Sequence, residues 1–514
     1  MSGISVAREI INFENVSYSY SEGNLRSLSP AEIPCEKKYA LEGINLSVTE
    51  GEFLAVMGEN GAGKTTFCKL INGIIPHLSR GHLSGTVTVA GECTASSSVP
   101  RLALKVGMVL DDPDVQLFTS SVRHEAAFGP ENFLLPPKEI ERRVKQAITA
   151  AGLAGFEERE PATLSGGEKQ RLAIAAALAM QGKILVLDEP LCRLDPQGAG
   201  EVMSVLRDVR EKHGITIIMA AHSSGIMQEF ADRVCILRNG RIAACDKAQN
   251  IFASHALLEE NGIQPPEHAD IFSFFSEKKE ALPERELGTP AVRIKDFSYS
   301  YGPNSPLIKN INLSLADNDF TAIIGPNGCG KTTLLKNIAG LLRPDSGDIY
   351  IRGKNTRELS VSAISKEAGF VMQNPDSQLF TDSVRDEIAF ALKRMSLSKT
   401  EIQRRVEDVL NTVGLKDADA FPHALSRSER TRTVIACVLA MGCKIIIFDE
   451  VDIGQDYLGS LNIMDIAKQL HRQGYTIIFV THNMSLSCKY AQRLIKMDKK
   501  GIVMDMRRNN GNEQ

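Results

Sequence analysis

Short apolar runs recur along the chain and are separated by patterns typical of helices. Four to six successive apolar residues indicate a strand that is buried on both faces. Residues 139–151 carry an amphipathic helical pattern, and residues 172–180 are strongly helical. The chain is therefore predicted to alternate strands with helices. The predicted buried strands cover residues 53–57, 106–110, 184–187, 215–220, 320–324, 445–448 and 476–480, and a further strand is predicted over 85–90.

The run at 320–324 leads into a glycine-rich segment that has the pattern G-x-x-x-x-G-K-T. Glycines let successive backbone N–H groups turn inward on an anion, and the helix that follows points its positive end at the same place. We expect Lys331 to reach the β- and γ-phosphates of a nucleotide and Thr332 to bind Mg²⁺. Cys329 lies inside this loop and is interpreted first as a packing residue. The predicted phosphate-binding residues are Gly325, Asn327, Gly328, Gly330, Lys331, Thr332 and Thr333.

The same pattern follows the run at 53–57, so the chain carries an internal repeat. The later motifs return in the same order, with small insertions between them. Two homologous lobes follow, over residues 1–247 and 291–514, joined by an extension of the first lobe and a linker over 248–290. A polar surface loop is predicted near 21–38. The phosphate-binding residues of the first lobe are Gly58, Asn60, Gly61, Gly63, Lys64, Thr65 and Thr66.

An aromatic residue precedes each phosphate loop at the end of a strand-like segment. Residues 10–20 alternate like a strand and end in Tyr20, and residues 297–301 repeat that ending with Tyr301. One interpretation is that these rings stack on adenine. The other is that they are ordinary core or surface tyrosines, and the sequence leaves both open.

Charge and cysteine content exclude several classes of function. The formal net charge is −4, and no basic block is long enough to suggest a nucleic-acid footprint. The ten cysteines show neither a C-x-x-C pair nor metal spacing, which fits a reducing compartment. The first residues lack a secretory signal pattern, and no apolar run approaches the roughly 18 residues of a membrane span. We therefore expect a cytosolic chain whose membrane role, if any, depends on partners.

The segment from Leu164 to Glu168 gives the chain a specific resemblance. Its sequence, Leu-Ser-Gly-Gly-Glu, resembles the signature motif of ABC-type ATPases, and the resemblance covers essentially both lobes. It implies an α/β fold of two tandem P-loop nucleotide-binding domains, each with a helical subdomain, that bind and hydrolyse ATP with Mg²⁺. Ser165 would cap a helix there, and Gly166 and Gly167 would let backbone N–H groups approach a phosphate closely. Ser426 is the equivalent serine of the second lobe.

Further site residues follow from this resemblance. Asp188 and Asp449 end buried strands and would hold Mg²⁺, while the next residues, Glu189 and Glu450, would polarise the attacking water. His222 and His482 resemble the family's switch histidine, which senses the γ-phosphate. Gln373 stands where the family has a glutamine that touches Mg²⁺ and that water.

The two lobes depart from the family pattern at different positions. The second signature carries Arg427 and Ser428 in place of glycines, and the first lobe has Asp111 in place of the glutamine. In the family, two such domains pair head to tail, so that each ATP lies between the phosphate loop of one and the signature of the other. That pairing, here intramolecular, would collect all these departures in one ATP site. The hypothesis is one hydrolytic site, with Glu450, and one that mainly holds nucleotide.

The segments 116–132 and 378–390 resemble the ATPase subunits of energy-coupling-factor (ECF) transporters, which import vitamins or transition-metal ions. This resemblance implies two membrane partners, a transmembrane coupling (T) protein and a substrate-binding (S) protein, and a peripheral location on the cytoplasmic face of the membrane. The helices after Gln116 and Gln378 would dock on the partner. Two alternatives stay open, a soluble tandem ABC ATPase that acts on ribosomes or nucleic acid and a nucleotide-binding regulator without useful turnover.

Overall fold

The computed structural model describes residues 8–21, 39–222, 224–266, 274–277, 289–302, 306–395 and 397–508. The chain divides into two compact units, Met1–Pro266 and Glu267–Gln514. The predicted polar loop lies outside the described residues except at its first position, Ser21. The predicted extension and linker over 248–290 is divided between the units, because its residues up to Pro266 belong to the first.

The first unit is built from two sheets. One is antiparallel and has the order β2-β1-β4-β5, and the other has the order β10-β9-β3-β8-β7-β6. All neighbouring strands of the second sheet are parallel except β10, which runs antiparallel to β9. The strands are β1 (Glu9–Tyr20), β2 (Leu41–Thr49), β3 (Phe53–Met57), β4 (Gly81–Val89), β5 (Glu92–Cys93), β6 (Val106–Val109), β7 (Ile184–Asp188), β8 (Thr216–Ala220), β9 (Arg233–Arg238) and β10 (Arg241–Lys247).

The helices of the first unit fall into two groups. Three of them, Val122–Asn132, Pro137–Ala150 and Gly166–Ala179, pack around an apolar cluster of their own, which forms a helical subdomain. The others are Lys64–Ile71, Ile74–His77, Val99–Ala103, Pro196–His213, Ser224–Phe230, Ala248–Phe252 and His255–Glu260.

The second unit repeats this plan. Its larger sheet has the order β11-β21-β20-β14-β19-β18-β17, and its smaller sheet has the order β13-β12-β15-β16. The strands are β11 (Phe275–Glu277), β12 (Val292–Ser300), β13 (Pro306–Leu315), β14 (Phe320–Ile324), β15 (Ser346–Ile351), β16 (Lys354–Asn355), β17 (Ala368–Val371), β18 (Ile445–Asp449), β19 (Thr476–Val480), β20 (Arg493–Asp498) and β21 (Gly501–Arg508). The helices are Lys331–Ile338, Val361–Ser365, Val384–Leu392, Lys399–Val413, Arg427–Ala440, Tyr457–Arg472 and Met484–Tyr490.

Both faces of each parallel sheet are covered, which explains the uninterrupted apolar runs. In β3 every residue is buried, and alternate residues enter two different core clusters. Leu54 and Val56 face one cluster, whereas Phe53, Ala55 and Met57 face the other. Because β3, β7 and β8 are parallel, their carboxyl ends meet at one edge of the sheet. The first phosphate loop, the carboxylates of Asp188 and Glu189, and His222 lie at or just after these ends.

The helix that carries the pattern at 172–180 begins at Gly166, where Ser165 and Glu168 form a capping box at the predicted helix start. Within the predicted extension, Phe275–Glu277 pairs with β21, so this piece belongs to the sheet of the second unit. Among the described residues, no helix combines the length and apolarity that a bilayer crossing requires.

Candidate functional site

Each phosphate loop joins a buried central strand to a helix through a left-handed glycine. Gly63 has φ 106° and precedes Lys64–Ile71, and Gly330 has φ 100° and precedes Lys331–Ile338. A Cβ at Gly330 would lie 2.6 Å from Cγ1 of Ile308. A side chain is therefore excluded there by both conformation and space, so the loop requires glycine at this point.

The lysine of each loop is buried and folded over the loop itself. Nζ of Lys331 donates hydrogen bonds to the carbonyl oxygens of Gly325 (2.9 Å) and Pro326 (3.1 Å). Lys64 makes the matching bonds to Gly58 and Glu59, both at 3.0 Å. These bonds hold a cation at the centre of each loop, where a phosphate anion would be bound.

The aspartates at the ends of β7 and β18 form oxygen-rich sites with the neighbouring threonines. Oγ1 of Thr332 donates to Oδ1 of Asp449 at 2.8 Å, and the side chain of Thr65 is hydrogen-bonded to the carboxylate of Asp188. Burial raises the pKa of both aspartates to about 6, against the hydrogen bond from the threonine. Oδ1 of Asp188 is buried and has no hydrogen-bond partner among the described residues. Carboxylate and hydroxyl oxygens fit Mg²⁺, so Thr65 with Asp188 and Thr332 with Asp449 would hold it.

A glutamate–histidine pair lies beside each aspartate. Nε2 of His222 is 2.8 Å from Oε1 of Glu189, and Nε2 of His482 is 3.1 Å from Oε1 of Glu450. Both glutamates have φ 50°, a strained value for a residue with a side chain. The two loops that follow β18 and β19 thus bring together the residues predicted to activate water and to sense the γ-phosphate.

These glutamates are held ionised. Burial works to raise the pKa of Glu189, but the hydrogen bond and charge of His222, together with the charge of Lys64, lower it to about 2. The pKa of Glu450 is lowered by its own histidine and lysine against the same effect of burial. An ionised carboxylate can accept a proton or orient a water molecule, which is what hydrolysis requires here.

The glutamine position distinguishes the two units. Nε2 of Gln373 donates to Oε2 of Glu450 at 3.2 Å, so amide and carboxylate are directly linked. In the first unit the residue is Asp111, an exposed carboxylate whose charge contributes to the raised pKa of Asp188. The first unit therefore has an additional negative charge where the second has a neutral hydrogen-bond donor.

Both signature segments form capped helix starts. Oγ of Ser165 accepts a hydrogen bond from the Glu168 N–H, and Ser426 is bonded in the same way to Glu429. The predicted cap at Ser165 is confirmed. Arg427 turns back onto its own unit, where Nη2 donates to the carbonyl oxygen of Gln373 at 3.2 Å. The contact that the signature residues, including Gly166 and Gly167, would make with a nucleotide stays a prediction.

The two tyrosines lie against the phosphate-loop helices. The hydroxyl of Tyr20 is 3.0 Å from Oγ1 of Thr66, and that of Tyr301 is 3.1 Å from Oγ1 of Thr333. The rings are 46% and 65% exposed, so neither is a core residue. The remaining interpretations are a surface tyrosine and an adenine-stacking ring.

Four residues that sequence reasoning missed shape the segments after β6 and β17. In each unit a buried glutamate, Glu125 or Glu387, accepts hydrogen bonds from two backbone N–H groups. The donors to Glu387 are the N–H groups of Phe380 (2.8 Å) and Thr381 (2.8 Å). The side-chain amides of Gln116 and Gln378 reach back to backbone groups at the end of the preceding strand, β6 or β17. The available signal was their recurrence at equivalent positions of both halves.

Comparison with known proteins agrees with this geometry. The model of the ABC transporter family matches residues 41–192 and 308–452. The chain belongs to the ABC transporter family. A putative ABC transporter ATP-binding protein of Caldanaerobacter subterraneus is 36% identical over 90% of this chain and 88% of its own length. A putative ABC transporter ATP-binding protein of Methanosarcina acetivorans is 35% identical over 96% of this chain and 85% of its own length.

One solved structure resembles a single unit. It is CbiO1 of Clostridium perfringens, described as part of the ABC transporter complex CbiONQ, with 33% identity, a TM-score of 0.42, and coverage of 49% of this chain and 94% of that one. Membership of the ABC family makes this chain an ATP-hydrolysing transporter subunit with two tandem ATPase domains. ABC ATPase domains in general bind ATP together with Mg²⁺.

Proposed function

We propose that the chain powers an ECF-type importer of a vitamin or a transition-metal ion, with a T protein and an S protein as its membrane partners. The observation that carries this proposal is a pair of phenylalanines in edge-to-face contact, which each unit presents after the turn that carries Asp111 or Gln373. Phe118 and Phe128 meet edge to face at 4.8 Å between ring centroids, and Phe380 and Phe390 meet at 4.7 Å. We call these two pairs the aromatic docking pairs.

The aromatic docking pairs have the properties of a binding surface. Phe118 is 66% exposed and Phe380 is 62% exposed, although each belongs to a segment that the buried glutamate holds by two backbone bonds. A rigid and exposed aromatic residue binds a partner at a low entropic cost. The pairs also adjoin the turn that carries Gln373 or Asp111, so docking and catalysis would share one segment in each unit.

We further propose that the units differ in catalysis. The set of Lys331, Gln373, Glu450 and His482 is assigned to hydrolysis, and the equivalent set with Asp111 mainly holds nucleotide. The direct bond between Gln373 and Glu450 supports this assignment, since the first unit has a carboxylate at the glutamine position. The head-to-tail pairing of the two units, with Ser165, Gly166 and Gly167 facing the phosphate loop of the second, is part of the proposal.

Docking can be tested by co-expressing the chain with a candidate T protein and purifying the membrane complex through the T protein. Each of the substitutions Phe118→Ala and Phe380→Ala should weaken binding to the T protein about 30-fold, because a truncated interface aromatic commonly costs about 2 kcal/mol. The matched control is Leu134→Ala, since Leu134 is 90% exposed and belongs to neither pair. ATP binding by each variant would establish that it is folded.

Two results would contradict the proposal. One is a complex with the T protein that forms equally well with and without the rings of Phe118 and Phe380. The other is a chain that binds no T protein and instead sediments with ribosomes, which would favour the soluble class of tandem ABC proteins. The transported molecule is to be determined from the S protein, since substrate specificity in an ECF importer belongs to that chain.

A further inference from the structure

A buried hydrogen bond joins the two loops that carry the glutamate–histidine pair of the second unit. Oγ1 of Thr481 donates to Oδ2 of Asp452 at 2.5 Å. Asp452 lies two residues after Glu450, and Thr481 directly precedes His482. Thr481 is 1% exposed, so this bond is sheltered from water.

Further hydrogen bonds connect Thr481 to the helix that follows His482 in the chain. Oγ1 of Thr481 accepts a hydrogen bond from the N–H of Asn483 at 2.9 Å, and Oδ1 of Asn483 accepts one from the N–H of Leu486 at 3.1 Å. The latter bond caps the helix Met484–Tyr490. His482 therefore lies between two residues whose polar groups are bonded, which fixes the backbone on both of its sides.

The first unit shows that the fold does not require this bond. The residues at the equivalent positions are Leu191 and Ala221, which can form no such hydrogen bond. The same strands are nevertheless present, and Glu189 still contacts His222. Apolar residues at these two positions are therefore sufficient for the fold of the first unit.

The carboxylate in the second unit is also unfavourable on its own. Burial, together with the charge of Glu450, raises the pKa of Asp452 to about 6, although the hydrogen bond from the Thr481 hydroxyl acts in the opposite direction. A carboxylate in such a place costs stability unless it is hydrogen-bonded. Its presence in one unit alone indicates a task that only that unit performs.

We propose that Asp452 and Thr481 are positioning residues for ATP hydrolysis, which hold His482 in register with Glu450. Neither touches the reacting atoms, and both act through the two loops that they join. The inference rests on the proposed assignment of hydrolysis to the second unit. The absence of an equivalent bond accords with the weaker catalysis assigned to the first unit.

The test uses the full chain and steady-state ATPase kinetics. Thr481→Val keeps the shape of the side chain and removes its hydroxyl, whereas Thr481→Ser keeps the hydroxyl. We expect the valine variant to lose about fivefold in kcat with KM for ATP within twofold, the size expected for one lost hydrogen bond that acts on the transition state. The serine variant should stay within twofold of the wild type in both constants.

Asp452 is tested by the same logic. Asp452→Asn retains an acceptor oxygen and should stay within twofold, whereas Asp452→Leu, which introduces the residue of the first unit, should lose about fivefold in kcat. The double variant Asp452→Leu/Thr481→Val should be no slower than either single one, because both remove the same bond. Thermal unfolding of all variants would show that they are folded.

Three results would overturn the inference. They are an unchanged kcat in Thr481→Val, an equal loss in Thr481→Ser, and additive losses in the double variant. Glu450→Gln is measured in parallel. If it abolishes turnover while Thr481→Val has no effect, the positioning role alone fails; if it retains turnover, the assignment of hydrolysis to the second unit fails and the positioning role fails with it.

Discussion

The first glycine of the second phosphate loop gives the sharpest structural prediction. Gly325 has φ 155°, and a Cβ there would lie 2.3 Å from the carbonyl oxygen of Met497 and 3.1 Å from Sγ of Cys329. The carbonyl belongs to β20, which pairs with β14, so it cannot yield without displacing the sheet. Overpacking of this kind costs about 1–3 kcal/mol, and a positive φ for alanine adds roughly 1–2 kcal/mol. The loop is therefore expected to shift in Gly325→Ala.

A shifted loop no longer directs its N–H groups at a phosphate. We expect Gly325→Ala to weaken ATP binding by this unit at least 30-fold, which corresponds to about 2 kcal/mol. Gly328→Ala is the matched control, because it has φ 74° but no atom within 4 Å of the added Cβ, so it should weaken binding tenfold at most. Isothermal titration with ATP, with the loop of the first unit intact, measures both. Equal losses in the two variants, or none in Gly325→Ala, would refute the reasoning.

Three further predictions concern other described residues. At pH 7.5 iodoacetamide should modify Cys245 well before Cys329. The facing Cys235 thiol lowers the pKa of Cys245 to about 7, whereas burial raises the pKa of Cys329. Peptide mass spectrometry would show the order of labelling, and faster labelling of Cys329 would contradict the prediction. Glu387→Gln should lower stability by about 2 kcal/mol, since one charged acceptor serves two backbone N–H groups, and an unchanged urea midpoint would contradict this role. Adenine stacking predicts that Tyr301→Phe binds ATP within threefold of wild type while Tyr301→Ala binds about tenfold more weakly; equal losses would assign the role to the hydroxyl instead.

The sequence predicted the central strands and phosphate loops closely. The predicted strands 53–57 and 320–324 coincide with β3 and β14, because a short, largely apolar run between an acidic residue and a glycine leaves little freedom in placing a buried strand. Strands of the smaller sheet were placed less closely. The strand predicted at 85–90 is Gly81–Val89, and it ends before Ala90, which has φ 46°. A local pattern does not specify where a turn begins.

The missed features depend on contacts between distant parts of the chain. Asp452 and Thr481 are 29 residues apart, and only the adjacency of β18 and β19 brings their loops together. The contact that the Arg427 side chain makes was equally impossible to predict from the sequence. Its position in the signature suggested a side chain that keeps the backbone N–H groups away from a phosphate. In the structure the guanidinium donates a hydrogen bond to the Gln373 carbonyl oxygen of its own unit. Such contacts require the tertiary fold.

The most direct test of the account compares the two catalytic glutamates in the purified chain. Glu450→Gln keeps the size of the side chain and removes the carboxylate that His482 and Gln373 contact, so it should lower ATP turnover by at least about 100-fold. Glu189→Gln makes the same change in the first unit and should leave more than half of the turnover. If Glu189→Gln abolishes hydrolysis while Glu450→Gln preserves it, the assignment of hydrolysis to the second unit is wrong.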